Sequence, residues 1–314
     1  KGVGVGELSK PSQIALPAMG ALGGIVIPAV IFWLFNHGDD FAIRGWAVPT
    51  ATDIAFAVGI LALLGKRVPS GLKIFLLTLA VVDDLCAILI IALFYTDHLS
   101  MTSFLIAGFL LGVMWLLNYA RVAKKSVYVF LTFLLWISVL NSGVHATIAG
   151  VLAAFCIPTV DRNGNRMLDE FYHDLEGVTN FFILPIFAFV NAGVALTGIN
   201  PNQLLNSVSY GIFFGLFFGK QLGIFIFTFV FIKILRLGSL PSGATWTQLY
   251  GVCILGGIGF TMSLFVNGLA YENSDKFFFA DKLSILVASF ASGLFGYLFL
   301  YFYSKVNEKK LSEN

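Results

Sequence analysis

Charge is the scarcest thing in this sequence of 314 residues. Charged side chains make up 11% of it, where an ordinary soluble domain carries about 25%. That shortage excludes a soluble enzyme or a nucleic-acid-binding domain as the class of the chain. Cysteine is nearly absent too. Cys86, Cys156 and Cys253 lie inside apolar stretches with no paired spacing, which excludes a disulfide framework or a cysteine-based metal motif. They read as small apolar fillers of helix interiors. Soluble-enzyme motifs are missing as well. Gly219-Lys220 has neither the spacing nor the following Ser/Thr of a phosphate loop, no HExxH occurs, and Gly2-Val3-Gly4-Val5-Gly6 does not follow a strand. No signal peptide opens the chain. It starts at Lys1 with a Gly-rich polar stretch and without an initiator Met, which leaves room for an upstream segment.

Apolar residues are what the sequence has in abundance. They are 58% of it, 33 residues are Phe, and the mean hydropathy is +0.89. Hydropathy gives ten candidate membrane spans, at 14–36, 41–64, 71–95, 102–120, 126–140, 143–157, 178–198, 209–235, 247–270 and 281–304. The segments 126–140 and 143–157 are short for a spanning helix, which needs about 20 residues. They read as short tilted helices or as one hairpin that does not fully cross. With the first loop placed inside, fifteen basic residues fall on the cytoplasmic side and only Arg44, Lys276 and Lys282 outside, Lys220 being within a span. This positive-inside bias predicts cytoplasmic N and C termini. No loop is long enough to fold alone, so residues 1–314 are expected to form a single membrane transport domain whose chemistry lies among its helices.

Four places put polar groups where the chain should be driest. Asp83 and Asp84 sit about a dozen residues from either end of the third span, roughly 18 Å from water at 1.5 Å per residue. Carboxylates at that depth are costly and functional as a rule, and two together point to cation or proton chemistry. The second span carries Pro49, Thr50, Thr52 and Asp53 at its centre. A helix interrupted there, with Asp53 opening its second half, accounts for all four; a proline-kinked helix is the plainer alternative. In the ninth span Gly256-Gly257-Ile258-Gly259, followed by Thr261 and Ser263, is weak helix, although glycine clusters also serve close packing. The eighth span has glycines at 211, 215, 219 and 223, a smooth stripe for another backbone, with Lys220 about 100° around on its flank. Lys220 is too deep to snorkel, so it calls for a carboxylate partner, and Asp83 or Asp84 is the natural one.

Outside the spans, His173, Asp174 and Glu176 belong to an acidic cluster with Asp169 and Glu170. It reads either as a solvated helix end or as a pH-sensitive, cation-concentrating vestibule. His145 reads either as a hydrogen-bonding residue at a helix start or as a proton relay.

Several of these stretches together resemble one known family. ATDIAFAVGILALLG (51–65), LAVVDDLCAI (79–88), SGVHATIAG (142–150), ILPIFAFVNAGV (183–194), GKQLGI (219–224) and GIGFTMSLF (257–265) are similar, in order and over nearly the whole chain, to NhaA-type sodium/proton antiporters of bacterial inner membranes. The resemblance implies an all-α polytopic fold of about ten helices here, with inverted repeats and two interrupted, crossing helices at the ion site. One interrupted helix in each half is a sequence pointer to such a site, a rule for which this family is itself a type example. Family members have two further helices ahead of the segment beginning near Ile14, with a hairpin that supports a homodimer.

By resemblance, Asp84 is the principal Na+-binding carboxylate, and Asp83 its neighbour that pairs with Lys220 and exchanges protons. Asp53 and Thr52 belong to the broken helix beside the ion path. Asp53 offsets the positive half-helix ends and Lys220 the negative ones. The family exchanges Na+ or Li+ for H+ and is activated at alkaline pH. The only metal implied is cargo, Na+ on Asp84 and Asp83. No cofactor is implied, and the partners are the transported ions, membrane lipids and a second copy of the chain.

Competing readings stay open on the residues alone. A sodium-coupled symporter would need a roomy polar cavity, an intramembrane aspartyl protease a catalytic dyad, and a passive channel no proton coupling.

Overall fold

The computed structural model describes residues 11–95, 100–193, 205–271, 277 and 279–312. The Gly-rich opening, Lys276 and the 194–198 end of the expected seventh span lie outside them. Among the described residues there is helix and no strand. The chain divides into two compact units, residues 1–87 with 187–314, and Ile88–Ile186.

In the first unit, α1 (Pro11–Asn36) is followed by a 3₁₀ segment, Ala42–Thr50, and then by α2 (Ile54–Leu63). The helix α3 (Ser70–Phe94) carries the two aspartates and continues into the second unit. After the second unit come α8 (Ser207–Ile234), α9 (Trp246–Leu255), α10 (Phe260–Ala270) and α11 (Ala280–Ser312). Two π-helical turns, Gly215–Gly219 and Val230–Ile234, interrupt α8. Such turns shift the register of the side chains that follow and are common at functional sites. Leu61, Leu72, Leu76, Leu79, Val252 and Leu255 share one apolar core.

The glycine stripe of α8 has its partner in α1. A Cβ on Gly219 would lie 3.0 Å from the Pro28 Cα, and one on Gly223 would lie 2.7 Å from the Gly23 carbonyl carbon. Only hydrogen fits at these positions, so the two backbones approach directly, as small residues allow in apolar surroundings.

In the second unit, α4 (Met101–Tyr119), α5 (Lys125–Asn141), α6 (Thr147–Phe155) and the first part of α7 (Met167–Asn191) pack through Leu110, Met114, Tyr128, Leu135, Ala149 and Phe171. Asp161, between α6 and α7, accepts from the Asn163 and Asn165 amides at 2.8 and 2.9 Å. Burial pushes this carboxyl up, but the hydrogen bonds from Asn165, Asn163 and Gly164 outweigh it and hold the group below its ordinary value.

By length and composition, seven described helices can cross a membrane, or eight if α9 and α10, bent by 46° at their junction, count as one span. The other two expected segments behave as their length suggests. α5 has 17 residues and α6 only nine, about 13 Å of helix at 1.5 Å per residue against a hydrocarbon core of about 30 Å. One boundary differs from expectation. The acidic cluster is the opening of the same continuous helix as the seventh span, which begins at Met167. Asp169 and Glu170 there complement the helix dipole, which favours starting the helix early.

Candidate functional site

The second span breaks where its proline and polar residues predict. The 3₁₀ segment ends at Thr50, Ala51 is extended (φ −79°, ψ 149°), and Asp53 is the N-cap of α2. Its Oδ1 accepts from the Phe56 amide at 3.1 Å, satisfying a donor the helix start leaves unpaired. The ninth span breaks between Leu255 and Phe260, at the glycine cluster.

The two breaks are bonded to each other. The Asp53 amide donates to the Ile258 carbonyl at 2.6 Å, Thr52 Oγ1 to the Gly256 carbonyl at 3.1 Å, and Ser263 Oγ to the Val48 carbonyl at 2.9 Å. Asp53 Oδ2 accepts from the Thr261 amide at 3.1 Å and from the Thr261 hydroxyl. One carboxylate therefore caps two helix N termini, α2 with one oxygen and α10 with the other, where the helix dipoles favour a negative charge. Ser289 of α11 completes the second break, accepting from the Gly259 and Phe260 amides at 3.2 and 3.0 Å. In this way backbone groups freed by two interruptions find partners without water, which apolar surroundings require.

Beside the breaks lies a buried ion pair. Lys220, the first residue after a π turn of α8, is 0% exposed, and its Nζ donates to Asp83 Oδ2 at 2.7 Å. Asp83 is 1% exposed, and its Oδ1 has no hydrogen-bond partner among the described residues. A Cβ on Gly24 of α1 would meet Nζ at 3.5 Å, an ordinary contact, and Ile224 Cγ1 more tightly at 3.0 Å. Adjacent residues on a helix diverge by about 100°, so Asp84 does not share this burial and is only half-buried. The charges that act on it are Asp83, Asp53 and Lys220. Asp53, Asp83, Asp84, Thr52 and Lys220, singled out in the sequence, are thus one electrostatic neighbourhood of the first unit.

The other sequence candidates belong to the second unit. His145 meets Thr147 Oγ1 at 3.2 Å at the start of α6. On α7, His173 faces Glu176 at 3.7 Å, Tyr172 donates to Glu176 at 3.0 Å, and Asp174 and Glu170 bind Lys125 at 2.7 and 3.0 Å. The hydrogen bonds from Lys125 to Asp174 and then Glu170 hold its ammonium above the ordinary lysine value. Among the described residues no group of three His, Cys, Asp or Glu could hold a resident metal ion.

Sequence reasoning flagged Thr261 and Ser263 only as weak helix formers, and missed their bonds to the opposite break. The available signal was a hydroxyl at each break, Thr52 within the first and Thr261 just after the second.

Fold and site together define a polytopic, all-helical membrane protein with buried charges at paired helix breaks. The profile of the Na+/H+ antiporter 1 family matches residues 1–300. Among curated proteins, the chain is 66% identical over 309 residues to the Na(+)/H(+) antiporter NhaA 2 of Campylobacter fetus, covering 98% of this chain and 78% of that one. It is 57% identical over 305 residues to NhaA of Campylobacter curvus (97% and 76% covered). Against an NhaA 1 of Campylobacter jejuni the identity is 54% over 299 residues (95% and 77% covered). The chain belongs to the Na+/H+ antiporter family, whose members are transporters rather than enzymes.

Proposed function

We propose that the protein is a secondary antiporter that exchanges cytoplasmic Na+ or Li+ for external H+ at Asp83 and Asp84. The observation that carries this reading is the division within the aspartate pair: Asp83 is buried against Lys220 while Asp84 keeps partial access. Two neighbouring carboxylates this deep in a helix cannot both ionise cheaply, so the pair holds protons that a cation can displace. Asp84 is the principal Na+ ligand, and Asp83 exchanges its proton with release of Lys220. Thr52 and Asp53 hold the breaks beside the ion path. The breaks belong to two interrupted helices that cross, related as inverted repeats, and the helices number about ten in a single transport domain.

Alternating access follows from cost. With Na+ or protons bound the site is neutral enough to move between sides; empty and charged it is not, so exchange is coupled. The protein sits in the bacterial inner membrane with both termini cytoplasmic, needs no cofactor, and works among lipids as a homodimer. His173, Asp174 and Glu176 are the pH-sensing group and activate exchange at alkaline pH, with His145 assisting. Everted vesicles test the core of this. Sodium-driven proton flux is expected with the wild-type protein and not with Asp84→Asn at equal membrane abundance; near-normal flux in the variant overturns the assignment.

A further inference from the structure

Along α2 and the first half of α11 runs a groove of about 450 Å³, walled by Phe56, Ile60, Leu63, Phe290 and Leu294 and almost wholly apolar. Gly293 keeps it open, because a Cβ there would stand 2.8 Å from Ile60 Cδ1. One end of the groove is the second helix break, where Ile258, Phe260 and the capping Ser289 form its floor. Towards the other end stands Tyr297, stacked on Tyr301 with ring centroids 6.1 Å apart. The Arg67 guanidinium lies 4.7 Å from the Tyr301 ring.

This mouth is basic. Lys66 and Arg67 are exposed, Lys73 reaches the Gly65 carbonyl at 2.8 Å, and exposed Lys305 is one turn beyond Tyr301. No ion pair among the described residues involves Lys66, Arg67 or Lys305. From Phe290 to Tyr301 the helix rises about 16 Å, close to half of a hydrocarbon core of about 30 Å. An apolar slot one leaflet deep that opens onto two tyrosines and onto cations with no ion-pair partner among the described residues has the pattern of a single lipid, tail and headgroup.

We infer that this groove binds one anionic phospholipid. An acyl chain lies between α2 and α11 against Ile258 and Phe260, and the phosphate rests between Lys66 and Arg67. The inference does not depend on the exchange reaction, although the bound chain would touch the paired breaks.

The test uses the full purified chain and binding alone. By native mass spectrometry, dioleoyl phosphatidylglycerol is expected to stay bound in preference to dioleoyl phosphatidylcholine. Lys66→Gln with Arg67→Gln should weaken the anionic lipid on the order of twenty-fold, at about five-fold per cation, and leave phosphatidylcholine unchanged. In vesicles, phosphatidylglycerol brominated on its chains should quench the indole added by Phe290→Trp beyond the wild-type signal. Equal binding of the two lipids, undiminished binding by the charge variant, or no added quenching would each overturn the site. Leu294→Cys linking two chains by a disulfide in the membrane would assign the groove to a second copy instead, and that also overturns it.

Discussion

Replacing Lys220 by Met leaves Asp83 buried without its cation. The pair is 2.7 Å apart with both side chains at most 1% exposed. At that separation the direct attraction is about 6 kcal/mol for an effective dielectric of about 20, part of which is offset by the cost of removing both charges from water. Breaking one side of such a pair costs about 3–5 kcal/mol. The lower end is expected here, because Asp83 can take up a proton once the lysine is gone. For a chain of this size, roughly 2 °C per kcal/mol turns about 3 kcal/mol into a fall of about 6 °C in unfolding midpoint. Asp83→Asn strands the lysine and should cost a similar amount. The double variant Asp83→Asn/Lys220→Met removes both charges and should recover more than half of the summed loss. Detergent-solubilised proteins compared by scanning fluorimetry at one scan rate measure this cycle. Additive losses in the double variant, or single variants with unchanged midpoints, refute the argument that the pair is energetically one unit.

Asp53→Ala removes the caps of both α2 and α10 and should cost about 2 kcal/mol at about 1 kcal/mol per cap. Asp53→Asn retains one acceptor oxygen and should cost less; equal midpoints for the two variants by the same fluorimetry contradict the double-cap role. Gly223→Ala forces a methyl group against the Gly23 backbone and should destabilise by about 1–3 kcal/mol. Gly108→Ala, with nothing within 4 Å of the added carbon, should stabilise by about 0.5–1 kcal/mol; a thermal-shift comparison that ranks them the other way rejects the close-contact argument. Asp161, whose carboxyl is held below its ordinary value, contributes stability present above the unfolded carboxylate pKa and lost as pH falls through the lower folded one. Hydrogen exchange at the Asn163 and Asn165 amides should therefore stay slow down to the ordinary carboxylate range and quicken only below it. Quickening at or above that range counts against the turn.

Features that depend on local chemistry were legible in the sequence, and those that depend on which faces meet were not. Pro49 with Asp53, and the glycines from Gly256 to Gly259, marked both breaks because a missing amide and a flexible backbone end helices wherever they occur. The depth of Asp83 and Lys220 called for a partner because an unpaired charge there is costly, although depth left Asp83 and Asp84 equal and only the family resemblance assigned the pairing to Asp83. The stripe at 211, 215, 219 and 223 announced a close backbone contact without naming α1 as the partner, since the matching Gly23 lies 200 residues away. Thr261 escaped notice as a ligand of Asp53 for the same reason: the bond spans 208 positions. Neither the π turn before Lys220 nor the 3₁₀ form of Ala42–Thr50 has a side-chain signature. Segment 143–157 was apolar enough to suggest a crossing, and only its helical extent, nine residues, shows how short it is.

Competition between Na+ and protons for the Asp83–Asp84 pair is the heart of the proposed exchange. Proton release from the purified protein on adding Na+, followed with a pH indicator over a range of starting pH, measures that competition directly. Release is expected at alkaline pH from the wild-type protein and should vanish in Asp84→Asn. Undiminished release from Asp84→Asn, or none from a folded wild-type protein at any pH, would contradict the account.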